Sequence, residues 1–126
     1  MSNSTFASPK EAAEALAAGT VKAGVTSSNQ KVCLGVTGGN GWFTITWSAS
    51  AIGSYDFVAL YESVQKPDSD YLSGNSWKYA EKGSPYITSS AACPNYEARY
   101  LVYDDVKKAY VSVARTGAYP AQICSS

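Results

Sequence analysis

Two groups of aromatic and planar polar residues have the side-chain types needed to bind a sugar. One group follows a glycine-rich run and the other spans a long polar stretch: Asn40 and Trp42; Asp68, Asp70, Tyr71, Asn75 and Trp77. Sugars are held by an aromatic face stacked on the apolar side of the ring and by polar groups that hydrogen-bond the hydroxyls. The sequence therefore predicts a ligand site in one of these groups.

Three residues of the second group also carry the oxygen ligands that a hard cation prefers. They are Asp68, Asp70 and Asn75. Calcium takes carboxylate and amide oxygens from a single flexible loop, although the spacing here is not that of an EF-hand. We expect no required cofactor and name calcium as the one candidate ion, the alternative being a polar loop that is simply solvated.

Catalytic constellations are largely excluded by composition. The chain contains no histidine, which removes Ser-His-Asp and Cys-His arrangements and every histidine-ligated metal site. Paired carboxylates could still hydrolyse a glycoside, but the acidic residues fall mostly in predicted turns and at strand ends. The run GGNG at 38–41 lacks the lysine and the helix of a phosphate-binding loop. We expect a binding protein and not an enzyme.

Composition describes a single domain of ordinary size. The chain has 126 residues, of which 45% are hydrophobic and 16% charged, a balance typical of one folded domain. Its ten basic and ten acidic residues cancel, so the basic surplus of a nucleic-acid or anionic-membrane protein is absent. No apolar run approaches the length of a membrane helix. The first residues lack the basic start and the apolar core of a secretory signal, so either the protein stays inside or a signal was removed before residue 1. We expect a cytoplasmic location, or release by a route without a signal peptide.

Three cysteines are present, Cys33, Cys93 and Cys124. They form no CxxC pair and leave one residue over if two are bridged, so neither a disulfide scaffold nor a zinc site is indicated. We expect free or partly buried thiols. The alternative is a bridge between Cys93 and Cys124, which would need an oxidising compartment.

The elements that must position these residues begin with one short helix. Ser8 is a predicted N-cap, Pro9 the first helical residue, Glu11 the partner in a capping box and Gly19 the left-handed stop after an alanine-rich interior. We expect residues 1–19 to form an N-terminal arm and a short capping helix that lies as a lid against the edge of a sandwich.

After Gly19 the apolar period changes from helical to alternating. Strands are predicted at 21–25, 32–36, 42–47, 57–61, 77–79, 85–88, 96–103 and 109–114. Residues 20–126 therefore predict an all-β domain, a two-sheet antiparallel β-sandwich of about seven or eight strands.

The alternation of apolar and polar residues also predicts on which face of its strand each side chain lies. Phe43, Ile45 and Trp47 share one face of their predicted strand, whereas Trp42, Thr44 and Thr46 share the other. We expect Trp47 in the core. Arg99 falls on the face opposite to its apolar neighbours, and we expect it to pair with Glu97 or with a carboxylate on an adjacent strand.

Several of these segments resemble a known family. YDFVALY at 55–61, WKY at 77–79, YEARYL at 96–101 and VART at 113–116 resemble the SKICH-type immunoglobulin-like domains in order and spacing over roughly residues 40 to 116. The sequence departs from the family pattern at Phe57 and Ala59, where tryptophan and glycine are usual. The resemblance implies a sandwich used for recognition or membrane targeting. The composition is also similar to that of small agglutinins from fungi and slime moulds.

The function expected from these observations is non-catalytic binding. The first hypothesis is a carbohydrate-binding, lectin-like protein that acts in agglutination or adhesion, with glycans or glycoproteins as partners and self-association to supply multiple sites. The alternative is a protein- or membrane-interaction module of the SKICH kind, which recruits its partner through an exposed edge strand or an apolar patch.

Overall fold

The structure, a computed structural model, describes residues 8–21, 31–39, 42–50, 52–53, 55–71, 77–83, 85–87, 96–104 and 106–124. Within these ranges lie one α-helix, one short 3-10 turn (Ala80–Lys82) and eight β-strands. They are α1 (Pro9–Ala18), β1 (Val32–Gly39), β2 (Trp42–Ala49), β3 (Phe57–Tyr61), β4 (Trp77–Tyr79), β5 (Tyr86–Ile87), β6 (Glu97–Asp104), β7 (Ala109–Arg115) and β8 (Ala121–Cys124). The strand predicted at 21–25 lies outside the described residues except for Val21.

The strands form two antiparallel four-stranded sheets. Sheet A has the order β5-β2-β1-β8, and sheet B has the order β4-β3-β6-β7. After the β1–β2 hairpin the chain crosses to sheet B, returns to sheet A at β5 beside β2, and crosses again to β6 beside β3. This is the Greek-key connectivity of an immunoglobulin-like sandwich, and it confirms the predicted fold class.

Strand β8 is the element that sequence analysis missed. Its register with β1 pairs Leu34 with Ile123 and Gly35 with Gln122. Ile123 is partly buried and packs against the core, whereas Gln122 is exposed. Four residues of alternating character, directly after Pro120, are too short a pattern to be distinguished from coil.

The main core lies between the two sheets. Its buried apolar side chains come from both: Val32, Leu34, Val36, Phe43, Ile45 and Trp47 from sheet A, and Val58, Leu60, Ala98, Tyr100, Val102 and Ala114 from sheet B. The indole of Trp47 is buried, and its Nε1 donates a hydrogen bond to the Ala80 carbonyl at 3.1 Å. The prediction that Trp47 belongs to the core is confirmed.

Helix α1 begins and ends as predicted. The Ser8 hydroxyl accepts a hydrogen bond from the Glu11 amide at 3.3 Å, and Gly19 has φ 80° at the C-cap. Ala12 and Leu16 are buried in one apolar cluster with Phe57 and Leu101, which belong to the two central strands of sheet B. The helix also approaches β7, the edge strand of the same sheet. β3 is apolar on both faces, and β6 adds Leu101 and Tyr103 to the outer face, so this part of the outer face needs a cover.

The cysteine prediction was wrong. A disulfide joins Cys33 and Cys124, with an S–S distance of 2.10 Å. Neither free thiols nor a bridge between Cys93 and Cys124 describes this pair, and Cys93 lies outside the described residues. The cause is the unpredicted strand: β8 lies beside β1 in a register that sets Cys33 directly opposite Cys124.

Candidate functional site

Tyr71 and Trp77, two of the predicted ligand-binding residues, lie together on the outer face of sheet B. Each packs edge-to-face on Phe57, with ring centroids 5.5 Å and 6.4 Å away, and Trp77 also meets Tyr79 at 5.0 Å. Both rings are half-buried. Their stacking surface is therefore partly used within the aromatic cluster that also receives helix α1.

Three other predicted residues cannot be placed in the same way. Asn40 and Asn75 lie outside the described residues, and Trp42 is described only as a backbone position of β2. Their predicted roles stay predictions.

Asp68 is bound within the protein. Its Oδ1 accepts a hydrogen bond from Arg99 Nη1 at 2.9 Å, and its Oδ2 accepts from the backbone amide and the hydroxyl of Ser112 at 3.0 Å and 3.2 Å. Its carbonyl accepts from the Tyr61 hydroxyl at 2.6 Å. A sugar or a calcium ion at this carboxylate would compete with a fully buried arginine.

Arg99 is the centre of a buried ion-pair network that we name the arginine clamp: Asp68, Glu97, Arg99 and Arg115 with the Val64 carbonyl. Glu97 Oε2 accepts from Nε of both arginines, and its Oε1 accepts from the Gly117 amide at 3.0 Å. The Val64 carbonyl also accepts from both guanidinium groups. The prediction that Arg99 pairs with Glu97 or a neighbouring carboxylate is confirmed.

The clamp holds the polar loop that follows β3 against sheet B. Arg99 Nε, Nη1 and Nη2 each donate within the protein, and the guanidinium lies 4.0 Å from the ring centroid of Tyr61. Burial, and then the charge of Asp68, raise the pKa of the Tyr61 hydroxyl well above its ordinary value of 10.0. An incoming anion would find these Arg99 donors occupied, so we interpret the buried, paired charge of Arg99 as structural.

Asp70 is exposed and has a weak partner. Its carboxylate lies 3.4 Å from Lys66 Nζ, which is also 3.7 Å from Glu62, and such solvated pairs contribute little. Among the described residues, no group of three or more His, Cys, Asp or Glu side chains is arranged to hold a metal ion. Calcium binding by Asp68, Asp70 and Asn75 stays a prediction.

A more open polar surface lies on the outer face of sheet A. A shallow groove runs along β1 between β2 and β8, and we name it the outer groove. Its larger part encloses about 330 Å³ and its smaller part about 180 Å³. The two parts share Gly35, Thr46 and Gln122. The larger part adds Val36, Thr37, Thr44, Pro120 and Ala121, and the smaller part adds Cys33, Leu34, Trp47 and Ser48.

Gly35 forms the floor of the outer groove. Val32, Leu34 and Val36 alternate into the core, so Gly35 occupies an outward position of β1. The register sets it between Thr46 on β2 and Gln122 on β8. A Cβ atom there would lie 3.0 Å from Thr46 Oγ1 and 3.5 Å from Gln122 Cγ. Gly35 is itself buried, so the missing side chain lets Thr46 and Gln122 close over the backbone of β1.

The chemistry of the outer groove is neutral and amphipathic. Threonine and serine hydroxyls and the Gln122 amide can each donate and accept a hydrogen bond. The threonine methyl groups, Ala121 and Pro120 add apolar surface. No lining residue carries a formal charge, and its one cysteine is in the disulfide. This arrangement suits an uncharged ligand with alternating C–H and O–H surface.

The sequence predicts only part of this surface. The alternation in β2 correctly predicts that Thr44 and Thr46 lie on the face opposite the core residues. Gln122 was missed because β8 was not predicted. Gly35 was available as a signal, since a glycine inside an alternating strand often marks close approach of a ligand or another backbone.

Comparison with protein-family models, with curated proteins and with solved structures finds no match to this chain. In the part of the chain that the structure describes, no helix is long and apolar enough to cross a membrane.

Proposed function

We propose that this chain is a non-catalytic, carbohydrate-binding domain of lectin type and that the outer groove holds the sugar. The observation that supports the proposal is the row Thr46, Gly35 and Gln122 across three strands. It combines two neutral hydrogen-bonding side chains with a floor that has no side chain. Sugar hydroxyls pair with such groups, and the apolar face of a sugar ring fits beside threonine methyl groups.

The same lining supports the proposal of binding rather than turnover in this groove. Hydrolysis of a glycoside needs a carboxylic acid and a second carboxylate on opposite sides of the scissile bond. The residues that line the outer groove include neither Asp nor Glu. A shallow groove gives weak single-site binding, so we infer that the protein acts on glycans or glycoproteins through several linked sites, by self-association.

The disulfide supports a location outside the reducing cytosol. Disulfides persist in oxidising environments, and Cys33–Cys124 lies at the outer face of sheet A, with Cys124 exposed. A location outside the reducing cytosol therefore fits the bonded pair better than permanent residence in the cytoplasm.

The test is a glycan-array screen of the purified protein, with and without a calcium chelator, followed by agglutination of erythrocytes. We expect binding to related neutral glycans and agglutination that the same free sugar reverses. Loss of binding under chelation would support an ion in the loop of Asp68 and Asp70. A blank array from a protein that is folded by circular dichroism would contradict the carbohydrate proposal.

Point variants test whether the sugar binds in the outer groove or in the loop that contains Asp68 and Asp70. Thr46→Val removes one hydroxyl with almost no change of shape and should weaken binding by about tenfold, the equivalent of one lost hydrogen bond. Gly35→Ala fills the floor and should weaken it as much or more. Asp70→Ala is the matched control on an exposed loop residue and should leave binding unchanged. Normal binding by Thr46→Val with loss in Asp70→Ala would move the site to the loop.

Trp42→Ala addresses a remaining prediction from the sequence. Alternation assigns Trp42 to the same face of its strand as Thr44 and Thr46, and the sequence predicts it as the stacking ring. A loss of binding greater than that of Thr46→Val would support an aromatic contribution at this end of β2.

The second candidate is a protein- or membrane-interaction module. The observation that favours it is strand β7, which is seven residues long and, among the described strands, pairs with β6 alone. Asp68 occupies its Ser112 amide, so an added strand would have to pair with the other residues of β7. An edge of this kind can accept an additional strand from a partner. Agglutination that a sugar reverses argues for the first candidate. Its absence, together with capture of an extended peptide beside β7, would argue for the second.

A further inference from the structure

The Cys33–Cys124 disulfide lies within the proposed binding surface. Cys33 lines the smaller part of the outer groove, two residues along β1 from Gly35. Cys124 is two residues along β8 from Gln122 and directly opposite Cys33 in the register. The bridge therefore crosses the same two strands that form the floor and one wall of the groove.

Strand β8, which forms that wall, has few other attachments. It is four residues long and, among the described strands, pairs only with β1. Ile123 packs against the core and Ala121 is also partly buried, whereas Gln122 and Cys124 are exposed. A short edge strand with no fully buried side chain has a low local free energy of opening. The covalent bond is its main attachment at the C-terminal end.

The segment before β8 is held independently. The Tyr119 amide donates to the Tyr96 carbonyl at 2.8 Å, and the Tyr119 ring packs on Phe43 with centroids 4.6 Å apart. The same ring lies so close to Gly38 that a Cβ there would meet it. Opening of β8 would therefore stop at Tyr119, leaving both sheets otherwise paired.

We propose that the disulfide is a redox switch for the outer groove: oxidation fixes β8 and completes the binding surface, and reduction releases β8 and removes one wall. The inference rests on the proposed function of the groove. In the reductive step, two external thiols supply two electrons and two protons. The Cys33–Cys124 S–S bond breaks into two thiols, and the external pair forms its own disulfide. Exposed Cys124 gives a reductant access to the bond.

The test uses the full chain with Cys93→Ser, so that only one pair of thiols can form. We compare it oxidised and after reduction by dithiothreitol, and measure amide exchange, near-ultraviolet circular dichroism and affinity for the glycan found on the array. Reduction should speed exchange of the amides of 121–124 by at least about tenfold and leave those of β3 and β6 unchanged. Affinity should fall by at least about tenfold and return on reoxidation.

The matched control is the same chain with Cys33→Ser and Cys124→Ser. It should bind as weakly as the reduced protein and should not respond to dithiothreitol. Unchanged exchange in β8 after confirmed reduction would overturn the proposal, and so would loss of structure throughout both sheets. If the oxidised protein binds no glycan, the proposed function fails, whereas amide exchange still decides whether the disulfide fixes β8.

Discussion

The two sheets have the same number of strands but different surroundings. Sheet B is covered on its inner face by sheet A and on its outer face by helix α1, an aromatic cluster and the loop held by the arginine clamp. Sheet A shares the inner core, but its outer face carries the outer groove. Sheet B is therefore covered on both faces, whereas sheet A presents polar groups on an open outer face.

The amino-acid pattern explains this difference. All five residues of β3 are buried, and so are the first seven of β6, as expected for strands with both faces covered. In β2 buried positions alternate with half-buried or exposed ones, the pattern of a sheet with one face in water, and in β1 the buried Gly35 interrupts that alternation. Strands buried along nearly their whole length therefore mark the structural sheet, and alternating strands mark the candidate binding sheet.

The largest effect that would test this comparison is loss of the arginine clamp. Glu97→Ala removes the carboxylate that accepts from both Arg99 and Arg115. It leaves a fully buried arginine with one anionic partner, and breaking such a pair costs about 3–5 kcal/mol. We expect the free energy of unfolding, measured by urea denaturation, to fall by that amount.

The control for Glu97→Ala is Glu62→Ala, which removes an exposed carboxylate beside Lys66. It should change stability by about 0.5 kcal/mol or less. Similar small effects in both variants would show that the buried network does not stabilise sheet B and would weaken the contrast between the sheets.

A smaller loss is expected from the helical cover. Leu16 is buried against the outer face of sheet B, and truncating a buried leucine costs about 2–5 kcal/mol depending on how far the site can collapse. A short terminal helix can shift, so we expect Leu16→Ala to cost about 2–3 kcal/mol. Glu14→Ala, at an exposed position of the same helix, is the control. Equal stabilities would mean that the outer face of sheet B does not need α1.

Alkaline pH should act mainly on sheet B. Burial, as the largest cause, raises the pKa of Tyr61 and of Tyr110 well above the ordinary value of 10.0. Below about pH 10 both states hold these protons. At higher pH the unfolded chain releases them first, so stability falls as pH rises, by about 1.4 kcal/mol per pH unit for each phenol.

Urea denaturation at several alkaline pH values measures that slope. Tyr61→Phe and Tyr110→Phe should each make it shallower, whereas Tyr86→Phe, at a half-buried edge position of sheet A, should change it less. An identical slope in all three variants would contradict the assignment to sheet B.

Much of the fold could be predicted because its signals are local. The Ser8 and Gly19 caps and the alternation in β1 and β2 each depend on a few neighbouring residues. The position of α1 could not be predicted from its own sequence, since its weak apolar face fits an edge or a face equally well. The cover became necessary only once β3 and β6 were paired and their second apolar face had to be buried.

The candidate site was harder to predict because it depends on register. Thr46, Gly35 and Gln122 are distant in sequence and meet only because β1 pairs with both β2 and β8. Asp68 was misleading for a related reason: its loop position looked solvated, but Arg99, 31 residues away, needs a carboxylate. The sequence shows which residues are polar. The pairing of β1 with β2 and β8 determines which of them line the outer groove.

The smallest expected effect comes from one buried hydroxyl group in the apolar cluster on the outer face of sheet B. Among the described residues, the Tyr103 hydroxyl is the one buried side-chain oxygen without a hydrogen-bond partner. It lies in the outer cluster, whereas Tyr100 on the same strand faces the inner core and its hydroxyl donates to Asp56 Oδ2 at 3.0 Å.

Removing an unpaired buried hydroxyl relieves its desolvation cost, so Tyr103→Phe should raise the free energy of unfolding by about 1 kcal/mol or less. Tyr100→Phe, the identical change with a charged partner, should lower it by about 1.5–3 kcal/mol. Opposite signs in urea denaturation would show that the inner face of sheet B is more completely paired than the outer one, and a clear loss in Tyr103→Phe would show that the outer hydroxyl has a partner.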